Sequence, residues 1–396
     1  MKTKKPIKTV NGRETVYRKR KRKTRILYGR LFLVVMLGMC LCFGIGAAAG
    51  MTMNLMRSSG ITEQITAAQN DKSETVEQVR VEEVNPYGVN YYFRSTLGED
   101  ERQIYDRITT GLYAQESRIL LKNTDSEQAK KLFHMVGYDH PEIFWIGSGF
   151  SMMVGEKDIT LKPFYRNDSD ETVLLQKAVD ARVEEFMQGI PEDADTYEKV
   201  KYAYEWIDDQ VTYVPDSEDN QNILSALLNG ESVCAGYAKA DQLLLQRMGI
   251  DALYVHGESI GDNGWGPHGW VMVNINGTWY HVDPTYGDGF GQSDDLFPVR
   301  DYTYLCISDG EILRNHTKAD DVVYPVCPDI SLNYYVQHGR YSDTYDWNVM
   351  NDMDWSVYSG ERVWVCQFSN REAYEACIND IHRYAVTVSE YLQASS

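Results

Sequence analysis

Two stretches decide the expected fold: residues 231–249 read ESVCAGYAKADQLLLQRMG, and residues 268–287 read HGWVMVNINGTWYHVDPTYG. The first predicts a helix that begins near Val233 and ends with a C-terminal cap at Gly249. Its apolar positions are Ala238, Leu243, Leu244 and Leu245. Cys234 falls in the first turn, where unpaired backbone N–H groups and the positive end of the helix dipole stabilise a thiolate. Cys234 is therefore a candidate nucleophile.

The second stretch predicts a β-hairpin. Asn276-Gly277 favours a two-residue turn, and β-forming residues flank it on both sides. With those two residues as the loop, Trp270 lies opposite Asp283. His268 and Asp283 then become diagonal neighbours on one face. A hydrogen bond between them would fix the imidazole tautomer and stabilise its charged form.

The two faces of this hairpin differ in chemistry. The face predicted to meet the core carries Val271, Val273, Ile275, Tyr280 and Val282. The opposite face carries His268, Trp270, His281 and Asp283. Polar and aromatic groups gathered on a second covered face indicate a functional site, and a solvent-exposed polar face is the alternative interpretation of the hairpin alone.

A metal site is the rival interpretation of Cys234, His256, His268 and His281. None of the usual zinc spacings, such as Cys-x2-Cys or His-x3-His, occurs in the sequence. The acidic loop at 288–295 lacks a calcium-binding pattern. We therefore expect no metal and no other cofactor, and we expect His256 and His281 to be structural.

The net charge of −19 combines two unlike parts. Residues 1–30 contain 13 Lys or Arg and one acid, so they carry +12 and the remaining 366 residues carry −31. A body this acidic argues against nucleic acid as the main partner, because phosphate contacts need a basic surface. Its composition, 43% hydrophobic and 12% aromatic, is that of an ordinary globular protein.

Residues 31–56, LFLVVMLGMCLCFGIGAAAGMTMNLM, contain no charge and exceed the roughly 20 residues that span a bilayer as a helix. The basic block before them predicts a cytoplasmic N-terminus, with residue 57 onward outside the membrane. A cleaved signal peptide is the alternative, because Ala47-Ala48-Ala49 resembles a cleavage site, but the apolar run continues past it. We expect a single-pass protein of the cell membrane with an extracytoplasmic body.

The chain is predicted to have six segments. They are a basic cytoplasmic leader at 1–30, a transmembrane anchor at 31–56, a polar stalk at 57–90, an accessory α/β region at 91–165, a catalytic core at 166–305 and a C-terminal α+β region at 306–396.

Within the predicted segments, helices are expected at Thr172–Gln188 and Tyr197–Gln210, and strands at Phe150–Val154 and Thr160–Tyr165. The C-terminal region is expected to contain a strand, GERVWVCQF, and a helix from Asn370 to about Leu392. Four cysteines could pair as disulfides in an oxidising compartment, in a connectivity that sequence does not give. They are Cys306, Cys327, Cys366 and Cys377.

The motifs SVCAGYAKA, HGWVMV and NGTWYHVDPTYGD resemble, in this order, the core of the transglutaminase-like superfamily in its bacterial membrane-anchored form. That family has a papain-like α+β fold, in which a Cys at a helix start packs against a small antiparallel sheet that supplies His and Asp. The resemblance implies that Cys234 is the nucleophile, His268 the general base and acid, and Asp283 the orienting carboxylate. Gly269 and Tyr286 depart from the Ala and Trp that are common in the family.

The sequence does not identify the group that would donate hydrogen bonds to the oxyanion of the transition state. The backbone N–H of Cys234 is the natural candidate. The side chains and backbone considered for substrate or oxyanion contact are Tyr213, Gln221, Asn222, Gly236, Tyr237 and Trp270.

The resemblance implies an extracytoplasmic cysteine enzyme that cleaves or transfers peptide or protein amides through a thioester. Its substrates would be amides at the cell surface, including wall-linked ones. Water as acceptor makes it a peptidase or amidase, and an amine makes it a crosslinking transglutaminase. The sequence does not choose between them. The alternative from another class is a non-catalytic surface binding or scaffold module that keeps the fold.

Overall fold

A computed structural model of the chain describes residues 9–10, 13–14, 87–261, 264–287, 300–346, 356–358, 361–363 and 367–383. The chain divides into two units, 1–82 and 83–396. In the first unit the described residues are one pair of two-residue antiparallel strands, β1 (Thr9–Val10) and β2 (Arg13–Glu14). No helix within the described ranges is long and apolar enough to cross a membrane. The predicted anchor at 31–56 lies outside those ranges.

The accessory region of the second unit combines three helices with a small sheet. The helices are α1 (Tyr92–Thr96), α2 (Glu99–Tyr113) and α3 (Ser126–Asp139). The strands are β3 (Ile119–Lys122), β4 (Ile146–Val154) and β5 (Asp158–Tyr165), in the antiparallel order β3-β5-β4. Both strands predicted here are confirmed, and each begins earlier than predicted.

Buried Asp139, the last residue of α3, ties this region together. Its carboxylate accepts hydrogen bonds from the backbone N–H groups of Phe93 and Arg94 and from the Tyr105 hydroxyl. Burial raises the pKa of Asp139 to about 6, against the opposing effect of His140 and of these hydrogen bonds. The carboxylate thus connects α1, α2 and α3.

Two longer helices follow, α4 (Ser169–Gln188) and α5 (Thr196–Gln210), and they confirm the predicted pair. Asp168 and Asp195 cap their N-termini by accepting hydrogen bonds from first-turn N–H groups. Helix α5 buries one apolar face. The fully buried members of that face are Val200, Ala203, Tyr204 and Ile207.

The predicted cysteine helix is present as α6 (Cys234–Arg247). Gly249 ends it in the left-handed region, with φ +74°. Before it, β6 (Thr212–Tyr213) pairs in parallel with β7 (Glu231–Ser232), and a single π-helical turn at Ser225–Asn229 leads into β7. These short elements set the start of α6.

The central sheet has the strand order β11-β10-β9-β8-β12. The strands are β8 (Ala252–Gly261), β9 (Gly264–Ile275), β10 (Thr278–Val282), β11 (Leu305–Ile307) and β12 (His316–Lys318). The predicted register is confirmed, since Ile275 pairs with Thr278 and Val271 with Val282. Asn276 and Gly277 have φ +54° and +89°, as a two-residue turn of this kind requires.

Both faces of the hairpin are buried. The predicted core face is covered, and helix α6 packs on β8 and β9. On the other face Trp270, His281 and Asp283 are fully buried and His268 is 9% exposed. The prediction of a second covered face is therefore confirmed, and the solvent-exposed alternative is wrong.

The C-terminal region consists of short elements. The short helix α7 (Pro284–Gly287) follows β10 and precedes this region. The elements of the region are α8 (Asp309–Ile312), α9 (Tyr334–Gln337), β13 (Tyr341–Ser342), β14 (Ser356–Tyr358), β15 (Glu361–Val363), β16 (Gln367–Phe368) and α10 (Arg371–Arg383). The predicted last helix is confirmed through Arg383, and its remaining part lies outside the described residues. Cys306 and Cys327 are free thiols, Cys377 is buried, and Cys366 lies outside the described residues.

Candidate active site

Cys234 is the first residue of α6 and is partly exposed. The N-cap residue, Val233, makes no side-chain hydrogen bond to the first turn, because its side chain has no acceptor. First-turn N–H groups of α6 are thus left to other acceptors. The positive end of the helix dipole favours an anion at this point.

Gly236 lets the loop before α6 pack against the helix. A Cβ atom there would lie 2.0 Å from Ser232 Oγ and 2.6 Å from Ser225 Oγ. These two hydroxyls are hydrogen-bonded to each other at 2.6 Å. Gly236 therefore serves the packing of the loop that holds Cys234.

His268 and Asp283 form a buried hydrogen-bonded pair. His268 Nε2 lies 2.6 Å from Asp283 Oδ2, as the diagonal register predicts. The other carboxylate oxygen, Oδ1, accepts a hydrogen bond from the Thr285 backbone N–H at 3.0 Å. Both oxygens of Asp283 are thus held in place.

The His268 side chain is also hydrogen-bonded to Cys234. Since Nε2 is occupied by Asp283, Nδ1 is the ring nitrogen left for the thiol. Burial lowers the pKa of His268, but the charge of Asp283 and the hydrogen bonds to Asp283 and Cys234 outweigh it and raise the pKa to about 10. His268 is an imidazolium at neutral pH.

Asp283 is ionised in this arrangement. Burial acts to raise its pKa, but the charge of His268 and the hydrogen bonds from His268 and His316 hold the pKa well below its usual range. The ion pair is therefore maintained without contact with solvent.

Three tyrosines lie near enough to Cys234 for a negative charge there to affect their hydroxyls: Tyr213, Tyr254 and Tyr286. Burial raises the pKa of each hydroxyl, and negative charge on Cys234 raises it further. The Tyr286 hydroxyl donates to the Ile260 carbonyl at 2.7 Å, which ties α7 to the end of β8. Tyr213 was a sequence candidate, whereas Tyr254 was not, because no motif marks it.

The other sequence candidates divide by position. Trp270 is fully buried and its indole N–H donates to His281 Nδ1 at 2.9 Å, so this donor is not directed at a substrate. Tyr237 is fully buried as well. Gln221 and Asn222 lie in the loop before α6, where the Gln221 carbonyl accepts from Lys239 Nζ and the Asn222 side chain accepts from the Leu224 N–H.

A second histidine, His316, contacts Asp283 and was missed by the sequence reasoning. Its Nε2 lies 3.1 Å from Asp283 Oδ2, and both side chains are fully buried. His316 lies 33 residues beyond Asp283, at the start of β12. No local spacing signals this contact, because β12 reaches the site through pairing with β8.

In the part of the chain that the structure describes, two groups of side chains have metal-ligand atoms within 4.8 Å of one another. In the first, His268 and His316 both meet Asp283 through Nε2. In the second, His281 Nδ1 accepts the Trp270 N–H, so a neutral His281 carries its proton on Nε2 and donates it to Asp309. Hydrogen bonds thus occupy the ring nitrogens that a metal ion would need. His256 is likewise engaged, with Tyr138 and Asp321.

Asp241 on α6 is a buried carboxyl with no hydrogen-bond partner for either oxygen among the described residues. Burial, with a smaller effect from the charge of Asp283, raises its pKa to about 8. Asp241 is therefore mostly protonated at neutral pH.

Comparison with known proteins agrees with the resemblance seen in the motifs. The model of the transglutaminase-like superfamily matches residues 182–284, a range that includes Cys234, His268 and Asp283. No functionally curated protein matches the chain.

Solved structures similar to this chain share low identity with it. A candidate cysteine protease from Cytophaga hutchinsonii is 17% identical with a TM-score of 0.25, over 35% of this chain and 62% of that one. A structure described as a TGase is 14% identical with a TM-score of 0.25, over 47% and 54%. The periplasmic domain of TgpA from Pseudomonas aeruginosa is 19% identical with a TM-score of 0.22, over 33% and 54%. The chain thus spans less than two thirds of each.

Proposed function

Since residues 182–284 form a domain of the transglutaminase-like superfamily, we propose that the protein is a cysteine acyl-transfer enzyme acting on peptide or protein amides. The observation that carries this proposal is the buried His268–Asp283 pair beside Cys234 at the start of α6. A thiol, an imidazole and an orienting carboxylate in this order are the groups that nucleophilic acyl transfer needs.

The first half of the reaction uses the three groups in sequence. The Cys234 thiolate attacks the amide carbonyl carbon, and a C–S bond forms while the carbonyl electrons move to oxygen. The His268 imidazolium then gives its proton to the leaving nitrogen, so that the C–N bond breaks and an amine or ammonia departs. A thioester on Cys234 and a neutral His268 remain.

The second half reverses the proton path. Neutral His268 removes a proton from the acceptor, which is water or an amine, as the acceptor attacks the thioester carbonyl. The C–S bond breaks and the thiolate returns beside the imidazolium. Asp283 stabilises His268 whenever the ring is charged and keeps Nδ1 directed at the reacting atoms.

The transition state places negative charge on the former carbonyl oxygen. The first-turn N–H groups of α6 fit this charge, since the Val233 side chain does not cap them and the helix dipole points its positive end there. Tyr213 is 39% exposed, and a negative charge on Cys234 raises the pKa of its hydroxyl. This side chain is therefore the one best placed to contact a substrate.

The first experiment tests whether the protein cleaves amides and whether this activity requires Cys234. We expect the full-length chain to release ammonia from a glutaminyl peptide or to cleave peptide amides, and Cys234→Ala to abolish this activity. Cys377→Ala is the matched control, since that thiol is buried in another part of the fold. If Cys234 reacts with iodoacetamide no faster than the other thiols at neutral pH and no amide is cleaved, the binding or scaffold alternative is favoured.

A second experiment separates the two enzymatic outcomes. The full-length chain is incubated with a glutaminyl peptide and a labelled amine, and both ammonia release and amine incorporation are measured. Incorporation of the labelled amine into the peptide would show that the enzyme transfers the acyl group to amines. Ammonia release without incorporation assigns hydrolysis on that substrate.

We further propose the membrane location that the sequence predicts, with the uncharged run at 31–56 as anchor and the domain outside the cytoplasm. Intact cells treated with protease would then lose the domain while a tag at the N-terminus stays protected. A protease-resistant domain in intact cells would exclude this topology.

A further inference from the structure

His316 and His268 meet the same oxygen of Asp283. His268 Nε2 lies 2.6 Å and His316 Nε2 3.1 Å from Asp283 Oδ2. All three side chains are at most 9% exposed, so water does not compete for this oxygen. The active-site carboxylate is therefore shared between two imidazoles.

The His316 ring is fixed at its other nitrogen as well. Nδ1 lies 2.7 Å from Asn315 Oδ1, and Asn315 Nδ2 lies 2.5 Å from the Tyr304 hydroxyl. The rings of Trp270 and Tyr286 pack on His316 with centroids 5.1 Å away. This ring has no freedom to turn away from Asp283.

The hydrogen bonds also determine which atom of His316 carries a proton. With the Asn315 oxygen toward Nδ1, that nitrogen must donate, and Nε2 must donate too, because the ionised Asp283 can only accept. With the amide reversed, Nδ1 accepts and the single proton of a neutral ring lies on Nε2. Both orientations place a proton on Nε2, directed at Asp283.

The titratable groups around His316 come from several parts of the fold. His268 is on β9, Asp283 follows β10, Tyr286 is in α7, and Tyr304 precedes β11. Among the hydrogen-bond partners recorded for His316 in the described residues, Asp283 is the one carboxylate.

We propose that His316 is a positioning residue of the active site. It donates a second hydrogen bond to Asp283 Oδ2 and so weakens the attraction of this carboxylate for the proton of His268. The inference rests on the proposed function in that His268 is the proton carrier. Donation from His316 draws electron density from the shared oxygen. His268 therefore releases its proton to the leaving nitrogen more readily than it would beside an unshared carboxylate.

The test uses two amide variants of similar polarity. In His316→Gln the side-chain nitrogen can occupy the place of Nε2 and still donate to Asp283, whereas in His316→Asn it reaches only the place of Nδ1. The rate of Cys234 alkylation by iodoacetamide is measured on the full-length chain from pH 5 to 11 by mass spectrometry. Thermal unfolding checks that each variant is folded.

We expect the alkaline limb of the profile, which reports deprotonation of His268, to move up by about one pH unit in His316→Asn. In His316→Gln it should stay with that of the unmutated chain. A purely structural His316 would change the rates or the stability without moving this limb. Equal limbs in folded His316→Asn and the unmutated chain would overturn the proposal.

The unmutated chain gives an independent reading should the Asn variant fail to fold. In full-length protein labelled with 15N-histidine, the Nε2 signal of His316, assigned with His316→Gln, should be that of a protonated nitrogen at neutral pH. An unprotonated Nε2 overturns the proposal. This measurement needs no turnover, so it separates failure of the His316 inference from failure of the proposed function.

Discussion

Asp283 and His268 form a buried ion pair beside the partly exposed Cys234. The carboxylate is fully buried, and it stays ionised because two imidazoles and a backbone N–H donate to it. Its charge keeps His268 protonated, and His268 is hydrogen-bonded to Cys234. The charge on the group beside the sulfur thus depends on Asp283.

Asp283→Asn should lower the pKa of His268 from about 10 toward its ordinary value, because the variant removes the charge that raises it. The alkaline limb of Cys234 alkylation then moves to lower pH, opposite to the change expected for His316→Asn. Amide turnover should fall by about 10²–10⁴-fold, by analogy with other triads. Asp321→Asn is the control, since Asp321 pairs with His256. An unmoved limb in Asp283→Asn contradicts the assigned role.

Asp241→Asn should make the stability of the fold less sensitive to rising pH between about 4 and 8. The pKa of Asp241 is about 8 in the folded chain and near 3.8 when unfolded, so the folded state binds the proton more tightly. The unmutated chain therefore loses stability as the pH rises from about 4 to about 8, by up to about 1.4 kcal/mol per pH unit. Denaturant unfolding at a series of pH values checks this. The stability difference between variant and unmutated chain should grow up to pH 8 and then level off; a difference independent of pH would refute it.

At the scale of elements, β12 is the strand that completes the site. It pairs with the outer edge of β8, with His316 opposite Ser259 and Lys318 opposite Gly257. Gly257 permits this approach, because a Cβ atom there would lie 1.8 Å from the Thr317 carbonyl oxygen. The backbone of Thr317 cannot give way as a flexible side chain would. The position of His316 thus depends on a glycine two strands away from Asp283.

Gly257→Ala should push β12 from the sheet and destabilise the fold by about 1–3 kcal/mol. Gly261→Ala on the same strand is the matched control, since no atom lies within 4 Å of its added Cβ. Denaturant midpoints measure the loss, and hydrogen exchange of the β12 amides locates it. Equal stability of the two variants would show that the strand spacing adapts freely.

At the scale of the whole molecule, the accessory region and the catalytic core are joined through helix α6. Gln246 Nε2 lies 2.9 Å from the Asp139 carbonyl and 3.1 Å from the Ala252 carbonyl. Gln242 likewise donates to the carbonyls of Tyr138 and Ala252. The helix that begins at Cys234 therefore also holds the end of α3 against β8.

Gln246→Met, which keeps the volume and removes the donor, should destabilise the chain by about 1–3 kcal/mol, because two buried carbonyls lose a partner. The unfolding should remain one transition by both circular dichroism and tyrosine fluorescence, since α6 is shared by both regions. Gln188→Met at an exposed position is the control. Two separate transitions would mean that the accessory region folds independently.

The net charge leads to a prediction about acceptors. With −31 beyond residue 30, the body should attract cationic, Lys-rich acceptors at low salt, and this advantage should fade as salt screens it. Turnover of Lys-rich and neutral acceptors, compared between about 20 and 500 mM salt, measures this effect. Equal rates without salt dependence would show that the charge does not select the acceptor.

Local periodicity allowed much of this to be predicted. The helix that starts at Cys234, the Asn276-Gly277 turn and the pairing of His268 with Asp283 follow from spacings of a few residues. The helices at 169–188 and 196–210 carry their own caps and apolar faces. Each of these features is determined within one element or one hairpin, where the backbone geometry is nearly fixed.

Contacts between elements that are distant in the chain could be identified only from the tertiary structure. His316, Tyr254 and Gln246 carry no motif, and their roles depend on which strand or helix packs beside them. The burial of Trp270, which removes it from the substrate side, likewise depends on how the faces are covered. The sequence by itself determined where Cys234, His268 and Asp283 lie in their helix and hairpin, because helix and strand periods place them. Only the tertiary structure decided what shares that carboxylate, because pairing between remote strands is set by packing and not by spacing.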